Sequence, residues 1–297
     1  MAALTELRID FDREAERISS FISEFVDIIG SRGIALGLSG GLDSSVTAGL
    51  CVRALSPDRV KALLLPERDS SADSVEDARI HAEKLGIEYR VVDLTSALNE
   101  LGCYESRASD LVRFRGGARA AVRLFPGLAR KGYLANLRGG GGKQFQDFIA
   151  FTRIKHRLRM VAVYQEAEKS NLSVASCVNR TEYETGFYVH YGDDAGDIAP
   201  IKHLYKTQVF GMGKFLGIPV RILEKKPSPD LFAGMKDEEI MGISYGDLDG
   251  ALWCISHGLS DKEIELKLGL SINVISYVKE IGEQSGRLRE APASLME

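Results

Sequence analysis

The sequence predicts an α/β protein, a doubly wound parallel sheet with helices on both faces and extra helices at the C-terminal end. Three observations predict it. Short apolar runs at Ile34–Leu38 and Val60–Leu65 alternate with stretches of helical period, as strands buried on both faces do. A sharp Ser39-Gly40-Gly41 turn joins the first run to the helix that follows. The 297 residues, 44% of them hydrophobic, are enough for one large domain with a sizeable core.

The elements follow in order. Ile18, Ile22, Phe25, Val26 and Ile29 recur at helical spacing, which predicts an amphipathic helix over about 10–31, closed by Arg32 and Gly33. Strand Ile34–Leu38, the glycine turn and a helix through Val46, Leu50 and Val52 come next. Val60–Leu65 reads as a strand, Ala72–Leu85 as a helix and Glu88–Val92 as a third strand. Further on, Ile154–Glu168 reads as a helix, Leu172–Cys177 as a strand and Tyr205–Leu216 as a helix ended by Gly217. Helices near 246–257 and 261–268 and a last one over Ile272–Gln284 make a C-terminal helical segment at about 246–290.

Tyr104 to Lys143 breaks this rhythm. It carries nine basic and two acidic residues, a local charge of +7, and ends in Gly139-Gly140-Gly141-Gly142. It is expected to be a basic, Gly-rich insertion at about 104–146 in a single domain spanning 1–297, either a functional lid or a solvated excursion.

Composition excludes several classes. With 42 acidic and 38 basic residues the net charge is −4, a poor global match for a phosphate backbone, so nucleic acid is not the expected partner. No apolar run is long enough to span a bilayer, and the start MAALTELRIDFDRE lacks the basic-then-apolar order of a signal peptide. Cys51, Cys103, Cys177 and Cys254 lie far apart and read as reduced thiols, so a cytoplasmic location is expected.

The sharpest chemical signal is Ser39-Gly40-Gly41-Leu42-Asp43-Ser44 between a strand and a helix. Glycines let successive backbone N–H groups face an anion, the hydroxyls add donors, and the helix N-terminus adds partial positive charge. Asp43 would repel a phosphate unless a Mg²⁺ bridged the two. No Lys follows the glycines, which excludes the G-K-[ST] type of loop.

These six residues resemble the S-G-G-x-D-S pyrophosphate loop of the N-type ATP pyrophosphatases. A second set narrows the resemblance: Pro66-Glu67-Arg68-Asp69-Ser70-Ser71, Asn179-Arg180-Thr181-Glu182, Thr185-Gly186-Phe187, Tyr191-Gly192-Asp193, Asp197, Leu204-Tyr205-Lys206-Thr207-Gln208 and Lys226-Pro227-Ser228-Pro229-Asp230-Leu231. In order and spacing they resemble the NAD synthase family, whose fold is Rossmann-like (adenine nucleotide alpha hydrolase-like).

The resemblance implies an ATP-dependent amide ligase that adenylates the nicotinate carboxylate of deamido-NAD and amidates it with ammonia, giving NAD, AMP and pyrophosphate. It implies that Ser39, Gly40, Gly41, Asp43, Ser44, Ser45, Cys177, Lys206 and Ser228 hold ATP, and that Asp43 and Glu182 contact Mg²⁺. Arg157, His190, Asp197 and Arg287 would hold the dinucleotide, and Asp43, Lys206 and Asp193 would act in catalysis. It also implies a homodimer and a mobile loop over Lys225–Ile243. With the resemblance filling the 297 residues, no glutamine amidase domain is expected, and a separate ammonia-supplying subunit is compatible with this expectation.

Some residues depart from the family pattern. Cys177 stands for a Thr, Arg180 and His190 for lysines, and Ser285-Gly286-Arg287-Leu288-Arg289 matches the usual C-terminal basic stretch only in part. A thiol donates weakly and a neutral imidazole carries no charge, so arginines between Arg113 and Arg123 are expected to compensate on the dinucleotide side. Alternatively the same adenylating apparatus serves another carboxylic acid. An RNA-thiolating enzyme with the same loop lacks its paired cysteines here, and a mere ATP sensor would not need Asp43, Glu182 and Lys206 together.

Overall fold

A computed structural model of the chain describes residues 4–105, 126–140, 142–225 and 236–290. Strands β1 (Ile34–Gly37), β2 (Val60–Leu64), β3 (Glu88–Val91) and β4 (Ser173–Val174) pair in the order β3-β2-β1-β4. All pairings are parallel, with Ile34 opposite Val60 on one side and Ser173 on the other. The chain therefore winds outward from β1 in one direction, then crosses to its other edge to lay down β4.

Period-two alternation gives each face of the sheet its own core. Ile34 and Leu36 pack with Ile18 and Ile22 of α1 (Phe11–Ile29) and with Val46 and Leu50 of α2 (Leu42–Leu55). The same side receives Ala78 and Ala82 of α3 (Ala72–Leu85). Ala35 and Leu63 face the opposite layer, meeting Leu98 of α4 (Thr95–Glu100) and Phe151 and Val163 of the long α6 (Lys143–Ser170). This is the doubly wound arrangement that the strand pattern predicts.

A third core lies off the sheet. It joins α11 (Tyr245–Ser256), α12 (Asp261–Leu268) and α13 (Ile272–Ser285) to Tyr133, Leu134 and Leu137 of α5 (Pro126–Leu137). Short helices α7 (Arg180–Thr185), α8 (Lys206–Phe215), α9 (Val220–Glu224) and α10 (Asp237–Met241) connect this bundle to the sheet.

The differences from the sequence reading are local. The first helix stops at Ile29 with Gly30 in the left-handed region, three residues before the expected Arg32–Gly33 stop. The interrupted segment is not loop throughout, because α5 lies inside it and α6 starts at Lys143 rather than Ile154. Phe145, Phe148, Ile149 and Thr152 supply the helical spacing there, masked in sequence by the flanking glycines and basic residues. Beyond Val174, β4 gives way to a single bridge from Ala175 to Ile198, which frees Cys177 and Asn179 to turn toward the site. The insertion's Arg113–Arg123, Ser228 and most of the expected mobile loop lie outside the described residues.

Candidate functional site

β1 has β2 on one side and β4 on the other, so the strand order reverses there. The crevice beyond the carboxyl ends of strands at such a reversal is where open α/β sheets bind ligands. Two of the loops that enter it follow β1 and β4: Ser39–Gly41 after β1, and Cys177–Asn179 after β4.

The first loop turns at Gly40, whose φ is +73°. A Cβ there would lie 2.1 Å from the Ser74 carbonyl oxygen, so the tight approach to α3 requires glycine. The loop is held by its own hydroxyls. Ser44 Oγ accepts from Ser39 N at 3.2 Å and donates to Gly41 O at 3.1 Å, and Ser45 Oγ donates to Gly41 O at 2.8 Å. Gly41 N donates to Ser39 Oγ at 3.2 Å. Gly41 is the N-cap of α2 and has no side chain to cap it, so the helix's first donors are presented to the crevice.

Asp43, in the first turn of α2, meets the second loop. Asn179 Nδ2 donates to its Oδ1 at 2.8 Å, and Lys206 Nζ donates to its Oδ2. Lys206 also reaches Glu182 Oε1 at 3.2 Å, so both carboxylates converge on one buried ammonium. Asn179 and Glu182 cap α7 reciprocally: Glu182 N donates to Asn179 Oδ1 at 3.0 Å, and Asn179 N to Glu182 Oε2 at 3.2 Å. Glu182 therefore has a double role, in the cap and in the charge cluster.

Burial alone would lower the Lys206 ammonium, but Asp43, Glu182 and Asp237 together raise it. Burial and the Asp43 carboxylate push the Glu182 carboxyl up, against the pull of Lys206. Burial likewise raises Asp237, which accepts from Tyr245 O–H at 2.8 Å. Positive charge is thus scarce where acidic oxygens gather. Behind the cluster, Asp249 accepts from Thr181 Oγ1 at 2.5 Å and from Thr207 N at 2.8 Å, which locks the start of α8 and hence Lys206. Burial pushes Asp249 up to about 6.

The crevice opens into a cavity of about 610 Å³. Ser39, Asp43, Cys177, Glu182 and Lys206 line it at the end where the two loops enter, Leu63–Leu65 and Val75 line it too, and helices α5 and α6 supply further wall. From α6 the cavity takes Phe145, Ile149, Thr152, His156 and Val163, one stripe at helical spacing, with Arg153 and Arg159 beside it. Asp193 reaches the wall as well, with its Oδ1 accepting from Val189 N at 2.7 Å and its Oδ2 lying 3.4 Å from His156 Nδ1. Burial pushes the Cys177 thiol up to about 12, so it stays protonated and inert as a nucleophile.

Other expected residues do not face this cavity. Arg157 is exposed and its Nε donates to His190 O at 3.2 Å. His190 pairs through Nδ1 with Asp194 Oδ2 at 3.1 Å, Asp197 Oδ2 accepts from Val174 N at 2.7 Å, and Arg287 is exposed near Arg138 O. Arg157, His190, Asp197 and Arg287 thus lie outside the cavity lining that holds Asp43 and Lys206.

Sequence reasoning left Asn179, Asp237, Asp249, Arg153 and His156 without roles. The N-x-x-E capping spacing at Asn179 and the three-residue spacing from Arg153 to His156 were the available signals. Lys155, also unassigned, is buried and pairs with Glu67 Oε1 at 3.0 Å and Asp69 Oδ2 at 2.9 Å, which fixes the Pro66–Ser71 loop against α6.

A phosphate-type loop at the switch point of a parallel sheet, facing a carboxylate–lysine cluster, defines a nucleotide-using α/β enzyme class. The NAD synthase family model matches residues 14–123 and 137–292, and the chain belongs to that family. It is 44% identical over 256 residues to the NH(3)-dependent NAD(+) synthetase of Thermotoga maritima, covering 84% of this chain and 89% of that protein. The protein of the same description from Methanocaldococcus jannaschii is 35% identical over 276 residues, 93% of each chain. In fold, the chain is similar to the NH3-dependent NAD synthetase of Campylobacter jejuni, with a TM-score of 0.71 at 24% identity over 97% of this chain and 100% of that one.

Proposed function

We propose that this chain is an ammonia-dependent NAD synthase: it adenylates the nicotinate carboxylate of deamido-NAD with ATP and amidates the product with ammonia. The observation that carries this reading is the convergence of Asp43 and Glu182 on Lys206 beside the Gly40 turn, at the mouth of a cavity large enough for a nucleotide. Kinship to the synthetases above agrees with it.

In this reading the ATP phosphates lie on Ser39–Ser45 and the uncapped start of α2, with Cys177 and Ser228 on the ATP side. A carboxylate oxygen of the acid attacks the α-phosphorus, the bond to the β-phosphate oxygen breaks, and pyrophosphate leaves. Lys206, its charge secured by its two acidic neighbours, steadies the negative charge that grows on the phosphates. Ammonia then attacks the acyl carbon, AMP leaves with the shared oxygen, and a proton is released. Asp193, paired with His156 at the wall, would accept it. Arg157, His190, Asp197 and Arg287, outside the cavity lining, would hold the more distant part of the dinucleotide.

Asp43 and Glu182 suit a Mg²⁺ ion. Among the described residues no three His, Cys, Asp or Glu side chains gather to cage a metal, but Mg²⁺ commonly takes one or two carboxylates and completes its shell with phosphates and water. The raised Glu182 carboxyl marks a place short of positive charge. Asp43 and Glu182 would hold the ion, which would supply positive charge for the leaving pyrophosphate.

We further infer one domain over 1–297, a homodimer and a cytoplasmic location. No helix among the described residues is long and apolar enough to cross a membrane. The test is a coupled assay with Mg-ATP, ammonium and deamido-NAD that follows NAD and pyrophosphate together. Equal yields of the two are expected; pyrophosphate without NAD, or neither product, would overturn the reading.

A further inference from the structure

Residues 124–136 fall between the two blocks that match the family model, and α5 occupies nearly that whole interval. This helix is built into the site. Ala129, Gly132, Tyr133 and Asn136 line the cavity, while Tyr133 O–H donates to Thr185 O at 3.0 Å and Arg130 Nε to Gly242 O at 3.0 Å. Both bonds fasten α5 to the elements that flank the catalytic cluster.

Across the cavity wall from α5 stands Arg153 of α6. Its Nη2 donates to Asn136 Oδ1 at 3.4 Å, and among the described residues no carboxylate lies within ion-pair distance of it. Burial lowers its guanidinium, and the neighbouring Arg157 and Arg287 lower it further. A half-buried guanidinium with like charges around it and one neutral partner lacks a counter-ion, and four of its five N–H donors remain for a ligand.

We propose that Arg153, positioned by Asn136 of α5, binds a non-reacting phosphate of the nucleotide acid substrate and so helps set which acid the enzyme accepts. This rests on the ligase reading above. The reacting carboxylate is a poorer occupant, because a guanidinium gripping both its oxygens would withdraw the lone pair that must attack the α-phosphorus. A phosphate has oxygens to spare for a fork of N–H donors, and gripping it leaves the reaction centre free.

The test pairs kinetics with direct binding. Arg153→Gln should raise the KM for deamido-NAD roughly 10- to 100-fold, the worth of a charge-assisted hydrogen bond, and leave the KM for ATP within about twofold. Arg153→Lys should recover part of the loss, and Asn136→Ala should raise the same KM by only a few-fold. The half-sized nicotinate mononucleotide tells which phosphate is held: an equal loss assigns the one next to the nicotinate riboside, and a smaller loss the adenosine-side one. An unchanged KM for deamido-NAD, or equal rises for both substrates, would overturn the proposal. Calorimetric titration of deamido-NAD without ATP separates the two levels of inference. Wild-type binding without turnover sinks the ligase reading but still lets Arg153→Gln be judged by its Kd. No binding to wild type, or equal binding to wild type and Arg153→Gln, sinks the phosphate subsite. Thermal unfolding of Arg153→Gln and Arg153→Lys checks that both fold.

Discussion

The two ends of the cavity are built on opposite principles. At the Ser39–Ser45 end the side chains are held by one another and by the loop: hydroxyls bond the loop's own backbone, and Asp43, Asn179, Glu182 and Lys206 bond one another, leaving the first N–H groups of α2 for a ligand. At the α6 end the lining residue Arg153 has one neutral partner, and just outside the lining Arg157 leans on a backbone carbonyl and Arg287 is exposed. The first arrangement is rigid before any ligand arrives, as a centre that must steady charge in a transition state requires. The second leaves cations for a substrate to satisfy. Substitutions should therefore cost stability and turnover at the first end, and substrate affinity at the second.

The sharpest way to break that contrast is Lys206→Ala against Arg157→Ala. Removing Lys206 leaves two carboxylates together in a buried site, so unfolding free energy should drop by about 3–5 kcal/mol, and pyrophosphate release should fall about 1,000-fold. Arg157 is exposed, so its loss should change stability by less than about 0.5 kcal/mol. Urea denaturation and the pyrophosphate assay measure both. Similar stability losses in the two variants would mean that the ends do not differ as described.

Gly40→Ala comes next. The substitution places a Cβ 2.1 Å from Ser74 O at a φ of +73°, and a shift of the loop is the only relief. A loss of about 2–4 kcal/mol is expected, with a raised KM for ATP and little change for the acid. A shift in the acid KM alone would place the loop on the wrong substrate.

A smaller effect is expected at Tyr133, whose hydroxyl bonds Thr185 O while its ring lines the cavity. Tyr133→Phe should cost about 1 kcal/mol in unfolding and leave the ATP KM unchanged, a check on whether α5 is wall or passenger.

The same contrast governs what the sequence revealed. The Ser39–Ser45 loop was legible because its backbone geometry admits few residue types: glycine at a positive φ, small hydroxyls at the start of a helix. The β1–β2–β3 half of the sheet was legible because burial on both faces demands apolar runs. The α6 end was not. Arg153, Arg157 and Arg159 look alike in sequence, and only the phase of the helix decides that Arg153 and Arg159 reach the cavity while Arg157 points past its rim. Helix α5 was hidden for a different reason. It has glycines and basic residues where a helix prefers neither glycine nor like charge, and its stability comes from Tyr133, Leu134 and Leu137 packing on distant α13. Asn179 reaches Asp43 across 136 residues of sequence, a pairing no local pattern announces.

The smallest effect is a pH dependence that sharpens the rigid end. His81 of α3 is buried, and its Nε2 lies 3.1 Å from Ser45 O, directly beneath the loop. Burial pushes its imidazole below the ordinary value of 6.5, with Lys84 adding to the effect. The unfolded chain therefore takes up a proton before the folded one does. His81's share of the stability is intact above about pH 6.5 and drains away as the pH falls below it, at no more than about 1.4 kcal/mol per pH unit. His81→Gln keeps a donor for Ser45 O without a titrating group, so its urea midpoint should fall less than that of wild type between pH 7.5 and 5.5. His203 is also pushed down by burial and remains in the variant, so the slope should shrink rather than vanish. If the two proteins lose stability in parallel, the proton is taken up elsewhere and the loop does not rest on a neutral His81.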